Sequence, residues 1–347
     1  MQTIPAFLNA GINLGNSLDA FADGVSGLDT ETCWANPSTT KDMIRMFANA
    51  GFDTLRVPVT WDVHMGPAPN YTIDPAWMAR VRQVVDWGLE AGMAVILNAH
   101  HEFGWLRPEL SLLADILPRY RSLWQQIADS FRDYGEKLLL QGSNEPNLMG
   151  GENCAWGSGN ANVRAAINVL NHTFVRTVRE TGGNNANRWL CIPNLAARPL
   201  PDCMRDMIAP KDDHVIYTIH CYSPDRFVFA RDTQSDTAIF DEKARDEVHE
   251  MFEDIKRWAL PHGMPIMITE WGAVAKKLPG KDVWNNEERL KFVRCFLDCA
   301  KELDIPCVWW GNNYIGRRNE YFALFDRESL TCTAPTLVQA CVDGSRL

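Results

Sequence analysis

Short apolar runs bounded by turn-forming residues alternate along the whole chain with longer stretches whose apolar positions recur at three- and four-residue spacing. The short runs predict strands over 11–15, 53–59, 94–99, 138–144, 188–194, 215–221, 265–271 and 306–312. Helices are predicted between them. Asp74 followed by Pro75 reads as a helix start, with Met78, Val81, Val85 and Leu89 on one face until Gly92. Thr39 with Asp42 predicts a capping box ahead of Met43, Met46, Phe47 and Ala50, closed by Gly51. Val248, Met251, Phe252, Ile255 and Ala259 form a similar stripe, as do Leu290, Val293, Leu297 and Ala300. These faces are packing surfaces.

Near-continuous apolar strands separated by helices imply a parallel sheet covered on both sides, and eight such units are the number that closes a barrel. We therefore expect an α/β fold, a (β/α)8 TIM barrel. No linker rich in Ser, Gly or Pro divides the chain, so one domain is expected across residues 1–347. An open doubly wound sheet would carry a glycine-rich nucleotide loop after its first strand. Gly11-Ile-Asn-Leu-Gly15-Asn-Ser lacks that spacing.

Composition narrows the partners. With 46% apolar residues among 347 the chain can bury a large core, and a formal net charge of -10 argues against nucleic acid, whose phosphates require a basic stripe. No apolar run reaches the roughly 18 residues of a membrane span. The start, Met1-Gln-Thr-Ile-Pro, has no charged and then apolar leader. An intracellular protein and a secreted one that has lost its signal both fit, and we take the secreted reading, as a monomer. The ten cysteines form no Cys-x-x-Cys or Cys-x-x-His pair, so no metal is expected. Cys191, Cys221 and Cys307 read as buried apolar residues, while a disulfide between two of Cys33, Cys154 and Cys203 is left open.

The carboxyl ends of barrel strands carry chemistry, and the unusual polar residues gather there. Arg56 ends strand two, Asn98-Ala-His100-His101-Glu102 strand three, Asn144-Glu145 strand four, His220-Cys-Tyr222 strand six, Glu270-Trp271 strand seven and Trp309-Trp310 strand eight. Glu145 and Glu270 are the minimum equipment for breaking a glycosidic bond, which needs a proton donor for the leaving oxygen and a second group to meet charge growing on the sugar carbon. Each residue also has an ordinary structural explanation. Arg56 could be an ion-pair partner, and adjacent His100 and His101 should face opposite ways on a strand, which disfavours a shared metal. Their joint placement outweighs the separate explanations. Among 13 tryptophans, Trp34, Trp61, Trp105, Trp156, Trp271, Trp309 and Trp310 fall in loops or strand ends, where an indole can lie flat against a pyranose.

Gly11-Ile-Asn-Leu-Gly-Asn-Ser-Leu-Asp-Ala20, Glu31-Thr-Cys-Trp-Ala-Asn-Pro37, Leu55-Arg-Val-Pro58, Ile96-Leu-Asn-Ala-His-His-Glu102, Asn144-Glu-Pro146, His220-Cys-Tyr-Ser-Pro224 and Thr269-Glu-Trp-Gly272 together resemble glycoside hydrolase family 5, and within it the subfamily 4 endoglucanases. The match runs over about residues 9 to 314. The resemblance implies a retaining endo-β-1,4-glucanase with no cofactor, acting on a β-glucan polysaccharide or oligosaccharide of cellulose or mixed-linkage type. It implies Glu145 as acid/base and Glu270 as nucleophile, with Asn13, Arg56, His100, His101, Asn144, His220 and Tyr222 around the substrate. Trp309 or Trp310 would lie beneath the sugar before the cut, and Trp34 farther toward the non-reducing side. Two departures bear on substituents: Gly311 stands where these enzymes usually have Asp, and Gln141-Gly-Ser precedes Asn144 in place of acidic and apolar residues. Xyloglucanase, lichenase and β-mannanase activities fit the same carboxylates. A non-catalytic carbohydrate-binding protein would have no reason to keep both.

Overall fold

The computed structural model of the chain describes residues 3–148, 157–231, 236–317 and 320–346. Eight parallel strands close on one another in chain order: β1 Ala10–Asn13, β2 Thr54–Val57, β3 Ala94–Asn98, β4 Leu138–Gln141, β5 Leu190–Pro193, β6 Val215–Cys221, β7 Ile266–Trp271 and β8 Cys307–Trp309. Each is followed by helix: α1 Lys41–Asn49, α2 Pro75–Glu90, α3 Leu113–Ser130, α4 Ala161–Glu180, α5 Pro201–Arg205, α6 Asp225–Val228 with α7 Glu242–Trp258, α8 Asn286–Glu302 and α9 Pro335–Gly344. The fold is the expected (β/α)8 barrel. Among the described residues no helix is long and apolar enough to cross a membrane.

Alternation with period two sorts each strand into two environments. Outward residues such as Leu55, Val57, Val95, Leu97, Leu138, Leu140, Tyr217 and Ile219 join the helices' apolar stripes in the large outer core. Inward, a lower layer of Ala94, Ile96, Leu139, Cys191, Ile216, Met267 and Val308 fills the barrel floor. Two residues farther along, the inward positions turn polar: Asn13, Arg56, Asn98, Gln141, Thr218 and Thr269, all fully buried. The floor is sealed, and chemistry begins one layer above it.

One strand breaks the alternation. In the β6 and β7 pairing, Ile219 lies opposite Ile268 but His220 lies opposite Glu270, so the register slips by one residue at Thr269. Strict alternation would turn Glu270 outward, after Met267 and Thr269 inward. The bulge reverses it, aiming Glu270 into the barrel and Trp271 out against Phe296, with which it stacks at 4.4 Å between ring centroids.

Two expectations are corrected. The first helix is capped by Thr40 and not Thr39: Thr40 Oγ1 accepts from the Met43 amide, and Thr40 donates back to the Met43 sulfur. Thr39 is held instead by Glu31, which accepts its amide, and by Arg80, which donates to its carbonyl. Cys33 and Cys203 are free thiols, so no disulfide joins them; Cys154, like Trp156, lies outside the described residues.

Candidate active site

Arg56 is the hub. Its guanidinium, fully buried, donates from Nε to Gln141 Oε1 at 2.8 Å, from Nη1 to Asn13 Oδ1 at 2.8 Å and Glu270 Oε1 at 2.7 Å, and from Nη2 to Asn144 Oδ1 at 2.6 Å. Gln141 is anchored in turn by donating to Thr218 Oγ1, and Asn13 by donating to the carbonyls of Thr269 and Trp309. One planar cation thus ties together the ends of β1, β2, β4 and β7. Such a fork holds geometry better than a lysine could.

Glu270 has both oxygens engaged. Oε1 takes Arg56, while Oε2 accepts from the Tyr222 hydroxyl at 3.1 Å. Both contacts place a donor on a carboxylate oxygen and fix the side chain's orientation. Burial and the charges of Glu270 and Glu145 push the Tyr222 hydroxyl well above the ordinary phenol range, so it stays a donor.

Glu145 has a different environment. A carboxylate oxygen of Glu145 and one of Glu270 lie within 4.8 Å of each other, with His220 as third member of the group. His220 Nδ1 sits 2.7 Å from Glu145 Oε1 and 3.5 Å from Glu270 Oε2. Burial pushes the imidazole down to about 3, so it is neutral, and two carboxylates facing Nδ1 favour the tautomer with its proton there. Burial raises Glu145 to about 7, with Arg56 and Arg198 pulling the other way. The Glu145 side chain is 15% exposed against 6% for Glu270, so it is the more open of the two to solvent. One carboxyl is built to hold a proton near neutrality, and the other is ion-paired with Arg56.

The carboxylates line a cavity of about 580 Å³ together with Arg198, Leu200, Arg231, Glu247, Glu250 and Asp254. A second cavity, about 600 Å³, is lined by Trp34, Tyr314, Arg317 and Glu320. His101 and Trp310 line both, so the two adjoin as one cleft, with the acids on the wall of the first cavity. Sequence reasoning missed Arg198, Leu200, Arg231, Glu247, Glu250 and Asp254. Arg198 and Arg231 stand in loops, and Glu247, Glu250 and Asp254 sit on a helix where acidic residues read as a solvated face.

The tryptophans divide. Trp310 lies half-buried, its ring parallel to His100 at 5.8 Å and 7°. Gly15 backs it: a Cβ there would come within 2.7 Å of the indole. Trp309 is corrected, because it is fully buried behind the wall, donating to the Phe322 carbonyl and packing edge-on to Trp271. Trp61 and Trp271 are also core residues, and Trp105 packs under Arg119 while donating to Glu102. Asn13 and Arg56 are likewise corrected from substrate contacts to buried supports. His100 and His101 do not diverge as expected. β3 ends at Asn98, so the pair lies beyond the strand and the rings meet at 4.4 Å. Asp19 approaches His100 at 4.0 Å but already accepts the amides of Asn16 and Ser17.

Trp310→Ala is expected to raise KM on soluble glucan roughly tenfold with a smaller change in kcat, since it removes a stacking surface. Trp309→Ala, by contrast, should lose about 3–5 kcal/mol of stability by leaving a core cavity. Steady-state rates and denaturant unfolding separate the two.

The family model described as Cellulase (glycosyl hydrolase family 5) matches residues 18–316. Endoglucanase A of Ruminococcus albus is 38% identical over 340 residues, covering 98% of this chain and 91% of that protein. A broad-specificity subfamily 4 endoglucanase from Ruminococcus champanellensis with bound cellotriose is 37% identical, with a TM-score of 0.90 over 99% of each chain. A xyloglucan-specific endo-β-1,4-glucanase from a metagenomic library, in complex with cellotriose, is 33% identical with a TM-score of 0.91, covering 97% of this chain and 96% of that one.

Proposed function

This chain belongs to glycosyl hydrolase family 5 and is a cellulase-type endoglucanase, and from that premise we propose that it cuts internal β-1,4-glucosidic bonds by double displacement at Glu270 and Glu145. The observation that carries the assignment is the pair itself. A separation within 4.8 Å suits direct attack on the sugar, whereas an inverting pair stands roughly 6.5–9.5 Å apart to admit a water.

Glu270, held in place by Arg56 and Tyr222, attacks the anomeric carbon. Glu145 gives its proton to the departing oxygen. His220 occupies Glu145 Oε1, which leaves Oε2 to carry that proton toward the cleft. Water then enters, Glu145 takes its proton, and hydroxide attack frees Glu270 with the original configuration restored. Arg56 holds the Asn144 carbonyl oxygen, so the amide nitrogen is the side presented to a sugar hydroxyl, and the 2-hydroxyl is the one whose hydrogen bond strengthens in the transition state. Trp310 forms the platform beneath the sugar before the cut, with Trp34 in the adjoining cavity.

The two adjoining cavities give the cleft room for several sugar units, which supports cutting within a chain. A polymer of glucose does not pass a membrane, so this reading places the enzyme outside the cell, acting as a monomer with residues 1–347 as one catalytic unit. The cellotriose-bound broad-specificity relative favours a β-1,4-glucan backbone, and the xyloglucan-specific one supports xyloglucan as second substrate. Initial rates on carboxymethylcellulose, lichenan, xyloglucan and glucomannan test the reading. We expect the first two to be cleaved with viscosity falling ahead of reducing-end release. Cleavage of glucomannan alone would overturn the glucan assignment, and no release from any would leave only sugar binding.

A further inference from the structure

On the barrel's outer surface, away from the cleft carboxylates, His249 of α7 faces Cys295 and Cys299 of α8. The two cysteines are four apart on a helix and therefore share a face. His249 Nδ1 lies 3.3 Å from Cys299 Sγ, and its Nε2 lies 3.9 Å from Cys295 Sγ. One ligand atom from each of the three lies within 4.8 Å of the others. In a tetrahedral zinc site, with Zn–S about 2.3 Å and Zn–N about 2.0–2.1 Å, sulfur and nitrogen sit roughly 3.5 Å apart. The Nδ1 to Cys299 Sγ spacing of 3.3 Å is close to that value, and the Nε2 to Cys295 Sγ spacing of 3.9 Å shows the second sulfur on the other edge of the ring.

We propose that His249, Cys295 and Cys299 form a binding site for a soft divalent metal ion, of which Zn²⁺ is the type, that clasps α7 to α8. Two thiolates and one imidazole are the donor set that selects zinc-like ions over magnesium or calcium. Ring contact between Phe252 and Phe296 at 5.0 Å already fixes the helices beside each other, so ligands from the two need not be gathered on binding. His249 is exposed and Cys295 half-buried, which gives the ion an entry path and leaves the fourth position to water; Cys299 is buried beneath. His249 pivots about its Cβ–Cγ bond to turn one ring nitrogen onto the ion lying between the sulfurs. Binding releases both thiol protons to solvent as the two metal–sulfur bonds form.

The clasp has a functional neighbour. The same helix α7 lends Glu247, Glu250 and Asp254 to the wall of the cleft, so an ion at His249 stiffens that wall from behind.

The test is titration of the full chain, kept reduced, with Cd²⁺ and Co²⁺ as spectroscopic stand-ins for Zn²⁺. Expected are a thiolate-to-metal charge-transfer band saturating at one equivalent and the visible bands of tetrahedral cobalt. In C295S/C299S the charge-transfer band should vanish, Zn²⁺ affinity should fall at least about tenfold, and the rise of Tm with Zn²⁺ expected of the parent chain should be absent. Unchanged glucan hydrolysis by the metal-free double variant shows that it folds. The Glu145, His220 and Glu270 group offers no sulfur and so cannot produce the band. Absence of a charge-transfer band in the parent chain, or its survival undiminished in the double variant, overturns the proposal.

Discussion

Glu270→Ala is expected to lower kcat/KM on soluble glucan by at least about 10⁴-fold, as removal of a covalent nucleophile does. The space left beside Arg56 and Tyr222 can admit a small anion. Azide supplied with an aryl β-cellobioside should therefore restore turnover, attacking from the side Glu270 occupied and giving the inverted glycosyl azide. A rescued product of retained configuration would mean that the nucleophile is another group. The same substitution also strands a fully buried guanidinium, since Arg56 loses the one carboxylate bonded to it. Deleting one partner of a buried ion pair costs about 3–5 kcal/mol, so unfolding by denaturant should move in step. Glu270→Gln, which keeps an acceptor for Arg56, separates loss of chemistry from loss of stability.

Removing Glu145 should act differently on the two half-reactions. Glu145→Ala is expected to lower kcat on polymer by about 10²–10⁴-fold, the usual worth of a proton-transfer group. Aryl glycosides with good leaving groups need no proton, so formation of the glycosyl-enzyme should survive while its hydrolysis slows. Azide then yields the product of retained configuration, the opposite of the outcome at Glu270. An equal loss on both kinds of substrate would refute the acid/base role. The alkaline limb of activity should lie near pH 7, where Glu145 loses its proton, and should vanish in Glu145→Gln. Stability carries the same sign. A carboxyl raised from 4.5 to about 7 in the folded chain binds its proton more tightly there than when unfolded. Its contribution is therefore present below about pH 4.5 and lost as pH rises through 7. The loss approaches roughly 3 kcal/mol. At pH 8, Glu145→Gln should melt above the parent chain, as scanning calorimetry would show.

Much of this architecture was legible because burial on both faces forces apolar runs, and the strand positions follow directly from them. Polar layers were harder. Period two predicts that Asn13 and Arg56 point inward, yet nothing in the pattern says they sit beneath the substrate surface and not on it. At Glu270 the pattern misleads outright, since the slipped register at Thr269 depends on how β7 meets β6. Trp309 and Trp310 could not be told apart without knowing that β8 ends at Trp309, which turns the first indole into the core and releases the second into the cleft. Gln141 was noted only as a departure from the family pattern. Its reason is now physical: it accepts from Arg56 Nε at a depth where an acidic residue would set a third charge beside the pair. Gly311 has a parallel explanation, because a Cβ there would come within 2.9 Å of the Asn13 carbonyl.

The permanent cation at the barrel's centre also sets the order of events. While Glu270 is free, Arg56 faces an anion and Glu145 can stay neutral. Once Glu270 is tied up as an ester the guanidinium lacks a counter-ion, and the cheapest replacement within reach is the carboxylate that Glu145 becomes by having already surrendered its hydrogen. The negative charge migrates between two oxygen pairs inside one cage and is never created or destroyed there, so the second half of the cycle begins with its base already in place.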